Sequence, residues 1–600
     1  MSRLIAVSAA PVLVASMLAL SSGAANASPA AACTPAPASA VANVLGIDQL
    51  HAAGLDGAGL TIGVISTSYN SYSTELYGTP ATTAPDDVAS GALPGAGNPC
   101  GYEQPVQVIQ EGPASDDEGR AMLQIVHAIA PAADLVFTTG AGGDDPVSDD
   151  QALAAAITSM VDAGVDVIVD DIMLEGDLAF ASGFAATAAQ RATDAGVIYT
   201  VAAGNLNVVG DTFDVDGTPS PSAGYPIGSW QTTQFRGAPC PEAVAAYDPT
   251  ATLECVDFDP SEAIDTTATY TLYPSSTLAP AQRTALGILQ WGEAPYAVTS
   301  SFSAYFLDEN DEVVASDVIT TDPTSPYPVT GTSVFSGLPT DTLSSRSLVI
   351  AREVGAGADA SAAPLPVRFS FFDNNSPNVV VGAEYFASSG NDTVGSSLVG
   401  RAANLSSVTV AAASLLVNPR SLDAYSGIGP QLRYFGAYDA GLAPAPLPVP
   451  ERREGPTVTG IDVIPTTFFG VLEDGYYLYP GTSAATPVVG ATLALAKQAA
   501  PSATNRRLVD ALVATATPIA TTWNGTVPAQ TSGAGVVNPT ALIAAVRETP
   551  APAPSPAGTA SATLPETGPT TDGLAWAAAL LALGIAGLLG ACARTRRRAA

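Results

Sequence analysis

The sequence predicts an α/β fold, a parallel sheet with helices packed on it, interrupted by an inserted β-sandwich. Two observations carry this reading. Short apolar runs at 60–65, 165–169, 197–202, 407–413 and 457–463 alternate with helical periodicity at 118–129, 149–163, 184–194 and 488–500. That is the pattern of strands joined by crossover helices. Residues 226–374 change character: short alternating segments such as 267–273, 285–291, 300–306 and 367–372 are punctuated by Pro, Gly, Asp and Asn. Regular short strands with turn signals argue for a sandwich.

Taken in order, the chain opens on Arg3, an apolar run at 4–20 and the small residues Ala25-Asn26-Ala27. This reads as a secretory signal peptide over 1–27, leaving Ser28 first. Residues 44–53 predict a helix, and Gly54, Gly57 and Gly59 mark the turn into the first strand, which runs into Ser66-Thr67-Ser68. Ser115-Asp116-Asp117-Glu118 opens the next helix, whose apolar stripe is Met122, Ile125, Val126 and Ile129. Ser115 with Glu118 three residues on fits a capping box. The strand at 165–169 ends in Asp170-Asp171, and two carboxylates at the C-terminal edge of a parallel sheet lie where catalytic groups gather. The strand at 197–202 ends in Ala203-Gly204-Asn205. Within the insertion, residues 308–312 read as an acidic hairpin turn. The α/β pattern then resumes and closes with helices at 505–516 and up to 546. The α/β domain is therefore expected in two parts, 28–225 and 375–548, followed by a Pro/Ala-rich spacer at 549–563.

Composition narrows the function. The chain has 56 Asp plus Glu against 21 Lys plus Arg, a net charge of −35, which excludes phosphate-tracking nucleic-acid binding. Of five cysteines, Cys592 lies in the C-terminal tail. The other four allow three pairings, of which the local choice, closing without crossing, is Cys33–Cys100 and Cys240–Cys255, the latter worth about 3 kcal/mol by loop entropy. No Cys-x-x-Cys or His cluster is present to ligate zinc, and no cofactor is called for.

The stretch Tyr479-Pro480-Gly481-Thr482-Ser483-Ala484-Ala485-Thr486-Pro487 places a serine at the mouth of an apolar helix. Backbone N–H groups there lack intrahelical partners and can receive an oxyanion. The plain alternative is a capped helix with Thr482 or Ser483 as N-cap. The stretch resembles the nucleophile motif of subtilisin-like serine proteases. The resemblance covers roughly 45–225 and 375–548 and implies a parallel sheet with helices on both faces, with Ser483 as nucleophile. It also implies Asn205, in Ala203-Gly204-Asn205, as an oxyanion donor.

The chain departs from that family at two places. The first strand ends without an Asp, and neither of the two histidines, His51 and His127, falls at the family's histidine position. Glu118 stands there instead and is similar to the glutamate of sedolisins, the carboxyl relatives of subtilisins. The sedolisin aspartate one turn later is replaced by Met122. A carboxylate base is then required, with Asp171 or Asp170 as its partner, Asp171 being favoured. Two adjacent carboxyl groups share a proton, so the expected pH optimum lies below neutral. At the C-terminus, Leu564-Pro565-Glu566-Thr567-Gly568, an apolar run at 574–592 and Arg594, Arg596, Arg597 and Arg598 resemble a sortase sorting signal over 564–600. That resemblance implies attachment to Gram-positive peptidoglycan, the apolar run itself reading as a membrane-spanning stretch until it is removed. The expected function is a secreted, wall-anchored serine endopeptidase acting on polypeptides through an acyl-enzyme. The missing Asp and His leave open a non-catalytic surface protein acting in binding or adhesion.

Overall fold

The computed structural model describes Cys33 and residues 36–548, apart from 144, 213–217, 262, 323, 355–364, 373–378, 418–419, 438–440 and 521–522. The segments read from the sequence as signal peptide, spacer and sorting signal lie outside the described residues. Among the described residues no helix is long and apolar enough to cross a membrane.

A seven-stranded sheet organises the α/β domain. Its strands are β1 (Thr61–Ser66), β2 (Gln107–Gln110), β3 (Asp134–Thr139), β4 (Val167–Asp170), β5 (Ile198–Ala202), β6 (Val408–Ser414) and β7 (Val458–Asp462), in the spatial order β2-β3-β1-β4-β5-β6-β7. Every pairing is parallel. The central strands are apolar nearly throughout because both faces are covered. On one face Ile62, Val64, Val167, Val169 and Val410 pack against α1 (Glu118–Ile129) and α4 (Thr482–Ala499). On the other, Ile65, Ile168, Tyr199 and Val201 meet α2 (Pro146–Asp162) and α3 (Phe184–Asp194). Successive strand residues thus serve opposite layers. Helices α5 (Asn505–Thr515) and α6 (Pro539–Glu548) extend the first layer. The helix expected at 44–53 is two short ones, Ser39–Val44 and Ile47–Ala52, broken at Gly46 with φ 70°.

The insertion forms two antiparallel sheets around an aromatic core that includes Trp230, Phe258, Trp291, Phe302, Phe306 and Phe369. Strands Val380–Ala383 and Asp392–Val394 pair within it, past the expected boundary at 374. The disulfides are Cys33–Cys100 and Cys240–Cys255. The turn at 308–312 closes a hairpin in which Asp308 Oδ1 accepts from the N–H groups of Asn310 and Glu312. Gln290 clamps the insertion onto the α/β domain: its Oε1 accepts from Ala179 N at 2.6 Å and its Nε2 donates to Asp177 O at 2.9 Å. Those carbonyl and amide groups belong to the segment that follows β4.

The sheet also fixes a buried charge cluster. Arg401 Nε pairs with Asp170 Oδ2 at 2.6 Å and its Nη1 with Asp177 Oδ2 at 2.9 Å, all three side chains being buried. Arg401→Met would leave two carboxyl groups enclosed without their cation. It is expected to lower unfolding stability by about 3–5 kcal/mol, measured by urea denaturation, whereas a loss under 1 kcal/mol would show the cluster to be dispensable.

Candidate active site

The C-terminal ends of β1, β4 and β5 converge where strand order reverses, β3 lying on one side of β1 and β4 on the other. The lead into α1 is tied to β1 by hydroxyls. Thr67 Oγ1 donates to Asp116 Oδ1 at 2.8 Å, and Ser68 Oγ to Asp117 Oδ1 at 2.9 Å. Asp117 takes the N-cap position with φ 57°, a conformation Asp tolerates better than most residues. The expected capping box does not form. Ser115 Oγ donates to Asp116 instead, and the Glu118 carboxyl accepts from Tyr479 Oη at 2.7 Å. A competing partner across the cleft outweighs the local bond.

Glu118 Oε1 is therefore held by a phenol that is itself buried and packed edge-on against Phe469. Asp171, just past β4, and Ser483, in the first turn of α4, are each 9% exposed and lie within hydrogen-bonding reach of Glu118. No ordinary-geometry bond joins Ser483 Oγ to the carboxyl, a looseness usual before substrate closes a site. Burial pushes the Glu118 pKa up to about 7, aided by the charge of Asp116 and opposed by hydrogen bonding from Tyr479, Ser483 and Asp171. Asp171 is raised well above the usual carboxylate range, chiefly by burial and then by the Glu118 charge. Among the described residues Asp171 Oδ2 is buried without a hydrogen-bond donor, which disfavours its charged form.

Of the two candidate partners, Asp170 points the other way. Its carboxyl accepts from Arg401 and Tyr199 on the α2–α3 side of the sheet, so the Asp170 alternative is corrected to a structural role. The strand's alternation sends neighbours to opposite faces, and only Asp171 reaches Glu118.

Ser483 enters α4 behind Gly481, the N-cap at φ 108°; neither Thr482 nor Ser483 caps the helix. Asn205 Oδ1 accepts from Thr482 N at 2.9 Å and from Thr482 Oγ1 at 3.0 Å, while Thr482 Oγ1 accepts from Gly204 N at 3.1 Å. With its oxygen anchored, the Asn205 amide nitrogen is left to donate. Among the described residues the Ser483 N–H has no acceptor either. Both expected oxyanion donors are thus uncommitted beside the hydroxyl.

The histidines lie elsewhere. His51 Nε2 sits 2.8 Å from Ile129 O, and His127 is buried against Tyr102, its pKa driven down to about 4 by burial. Met122 is core. Among the described residues no group of three or more His, Cys, Asp or Glu is placed to hold a metal ion.

Tyr479 was not singled out from the sequence, although it stands four residues before Ser483 in the same stretch. Tyr479→Phe removes the donor that lowers the Glu118 pKa. The expected result is an acid limb moved to higher pH and kcat/KM reduced about 10–100-fold, the worth of a hydrogen bond to a charged group. An unchanged pH–rate profile would exclude that role.

Residues 374–538 match the family model described as the subtilase family. The match includes Ser483 but not Glu118, Asp171 or Asn205, and it supports a subtilisin-like peptidase. No curated protein sequence matches the chain. Among solved structures, the chain is similar to the CspB protease of Clostridium perfringens at 12% identity, covering 85% of this chain and 97% of that one, with a TM-score of 0.44. It is similar to MycP1 from Mycobacterium smegmatis at 13% identity, covering 88% and 89%, with a TM-score of 0.34. It is also similar to the prenylagaramide maturation protease PagA at 10% identity, covering 84% and 98%, with a TM-score of 0.31.

Proposed function

We propose that this chain is a serine endopeptidase working through an acyl-enzyme with a Ser-Glu-Asp site. Ser483 attacks the scissile carbonyl, and Glu118 takes the hydroxyl proton and returns it to the leaving amine. Asp171 keeps a proton and donates it in a hydrogen bond that orients Glu118. Asn205 and the Ser483 N–H receive the oxyanion. The observation that carries this reading is the convergence of an acid pair, half-buried Glu118 and buried Asp171, on a serine at a helix mouth. Burial with a neighbouring acid gives Glu118 a proton affinity near the working range of a general base.

The substrates would be polypeptides. In this reading 1–27 is a signal peptide and 564–600 a sorting signal, and their sequences support an enzyme outside a Gram-positive cell, joined to peptidoglycan by a sortase acting between Thr567 and Gly568. The Ala/Pro-rich spacer would hold the folded part clear of the wall. The test is turnover of peptide esters by the purified chain. A parent protein with no turnover would favour the non-catalytic surface reading.

A further inference from the structure

A second pair of buried carboxyl groups lies against the turn that presents Ser483. Asp462 ends β7 and is wholly buried, and Asp423 is buried beside it. Asp462 Oδ2 accepts the Gly481 N–H at 2.8 Å and the hydroxyl of Tyr425, which itself lies 3.1 Å from that N–H. Among the described residues the opposite oxygen, Asp462 Oδ1, is buried with no hydrogen-bond partner, and so is Asp423 Oδ2. The sheet brings the two together: Ser414 pairs with Asp462 across β6 and β7, and the Asp423 N–H donates to Ala412 O on β6. Two enclosed, unpartnered acid oxygens are costly apart, and a single proton between them satisfies both.

The surroundings supply no better partner. Among the described residues the groups facing the pair are the Tyr425 phenol and the Arg420 guanidinium, which feels the Asp462 charge. Arg420 itself is committed to the carbonyl oxygens of Ser414, Leu415 and Val417. The backbone just past Asp462 is also forced: Val463, a β-branched residue, has φ 55°. Such a conformation persists only where the neighbouring contacts hold it.

We propose that Asp423 and Asp462 share one proton and act as a positioning pair for the nucleophile turn, gripping the Gly481 amide so that the Ser483 hydroxyl faces Glu118. The turn is anchored from outside its own helix at two residues: Asn205 and Gly204 hold Thr482, and Asp462 and Tyr425 hold Gly481. Loss of the shared proton sets two carboxylates against each other and frees the Gly481 end. The consequence for catalysis rests on Ser483 being the nucleophile; the shared proton and the grip on Gly481 do not.

The test uses the full chain, Asp423→Asn and Asp423→Ala. Asn offers an amide N–H in place of the proton and cannot ionise; Ala removes the partner. Burial raises the proton affinity of the folded pair, so it is present as a stabilising contribution at acid pH and is lost as pH rises. Asp423→Asn should therefore flatten the fall of stability with pH by up to one proton. Hydrogen exchange at 479–483, corrected for intrinsic rates, should quicken in the parent at alkaline pH, stay slow in Asp423→Asn and be fast at all pH in Asp423→Ala. In the active enzyme Asp423→Ala should lower kcat about tenfold at constant KM, with most of the loss restored by Asn. Equal pH slopes in parent and Asp423→Asn, or unaltered exchange in Asp423→Ala, would overturn the proposal. Because unfolding and exchange need no turnover, a parent without activity would end the peptidase reading and leave the pair to be judged on those two measurements.

Discussion

Ser483→Ala is expected to cut kcat on a peptide ester by about 10⁶-fold, and Glu118→Gln by nearly as much. The double variant should be hardly worse than either, because nucleophile and base act as one unit and removing either stops the same proton transfer. The structure allows this result to be separated from misfolding. Ser483→Ala deletes one oxygen that makes no ordinary-geometry hydrogen bond. Glu118→Gln keeps an oxygen to accept from Tyr479 Oη while removing a charge from an enclosed acid pair. Neither change should lower stability by more than about 1 kcal/mol, since no buried group is left without its partner. Turnover that survives Ser483→Ala would place the nucleophile elsewhere. Loss of turnover together with a large loss of stability would leave the site untested by that variant, so melting curves belong in the same experiment.

Sequence periodicity located most of the sheet because its strands are short, apolar and bounded by Gly or helix. Helix 184–194 and strand 285–291 coincide with the expected elements to the residue. What the pattern could not show was direction across the sheet. Asp170 and Asp171 are one residue apart and chemically equal, and only pleating decides that Arg401 takes the first and Glu118 meets the second. The Ser115–Glu118 spacing is a sound local signal that failed because a tyrosine 361 residues away offered Glu118 a buried donor. Asp423 and Asp462 left no motif at all. Their pairing arises from β7 and the turn after β6 meeting at Gly481, a relation that exists only once the chain is folded.

The pH dependence of the rate should place its acid limb near pH 7, higher than the below-neutral optimum expected from the sequence. The base must be ionised to act, and burial holds its pKa at about 7 where an ordinary glutamate would be ionised above about 4.5. Asp171 is raised as well, by burial and by the Glu118 charge, so the pair keeps one proton while Glu118 works; losing it sets two carboxylates side by side and forms the alkaline limb. Asp171→Asn should keep a donor to Glu118 and leave the acid limb near its place while abolishing the alkaline one. Stability must run in the opposite direction. A group whose folded pKa lies above its unfolded value contributes stability that is whole below about 4.5 and is lost as pH climbs through about 7. The Glu118 contribution should therefore be largest on the acid side, where the base is protonated and the rate is lowest, and Glu118→Gln should remove that part of the slope. Melting and rate measured across one pH series on the parent and on Glu118→Gln decide the matter: a stability difference between the two that does not change between about pH 4.5 and 7 would mean that Glu118 is not held protonated by burial, and the base would have to be sought elsewhere.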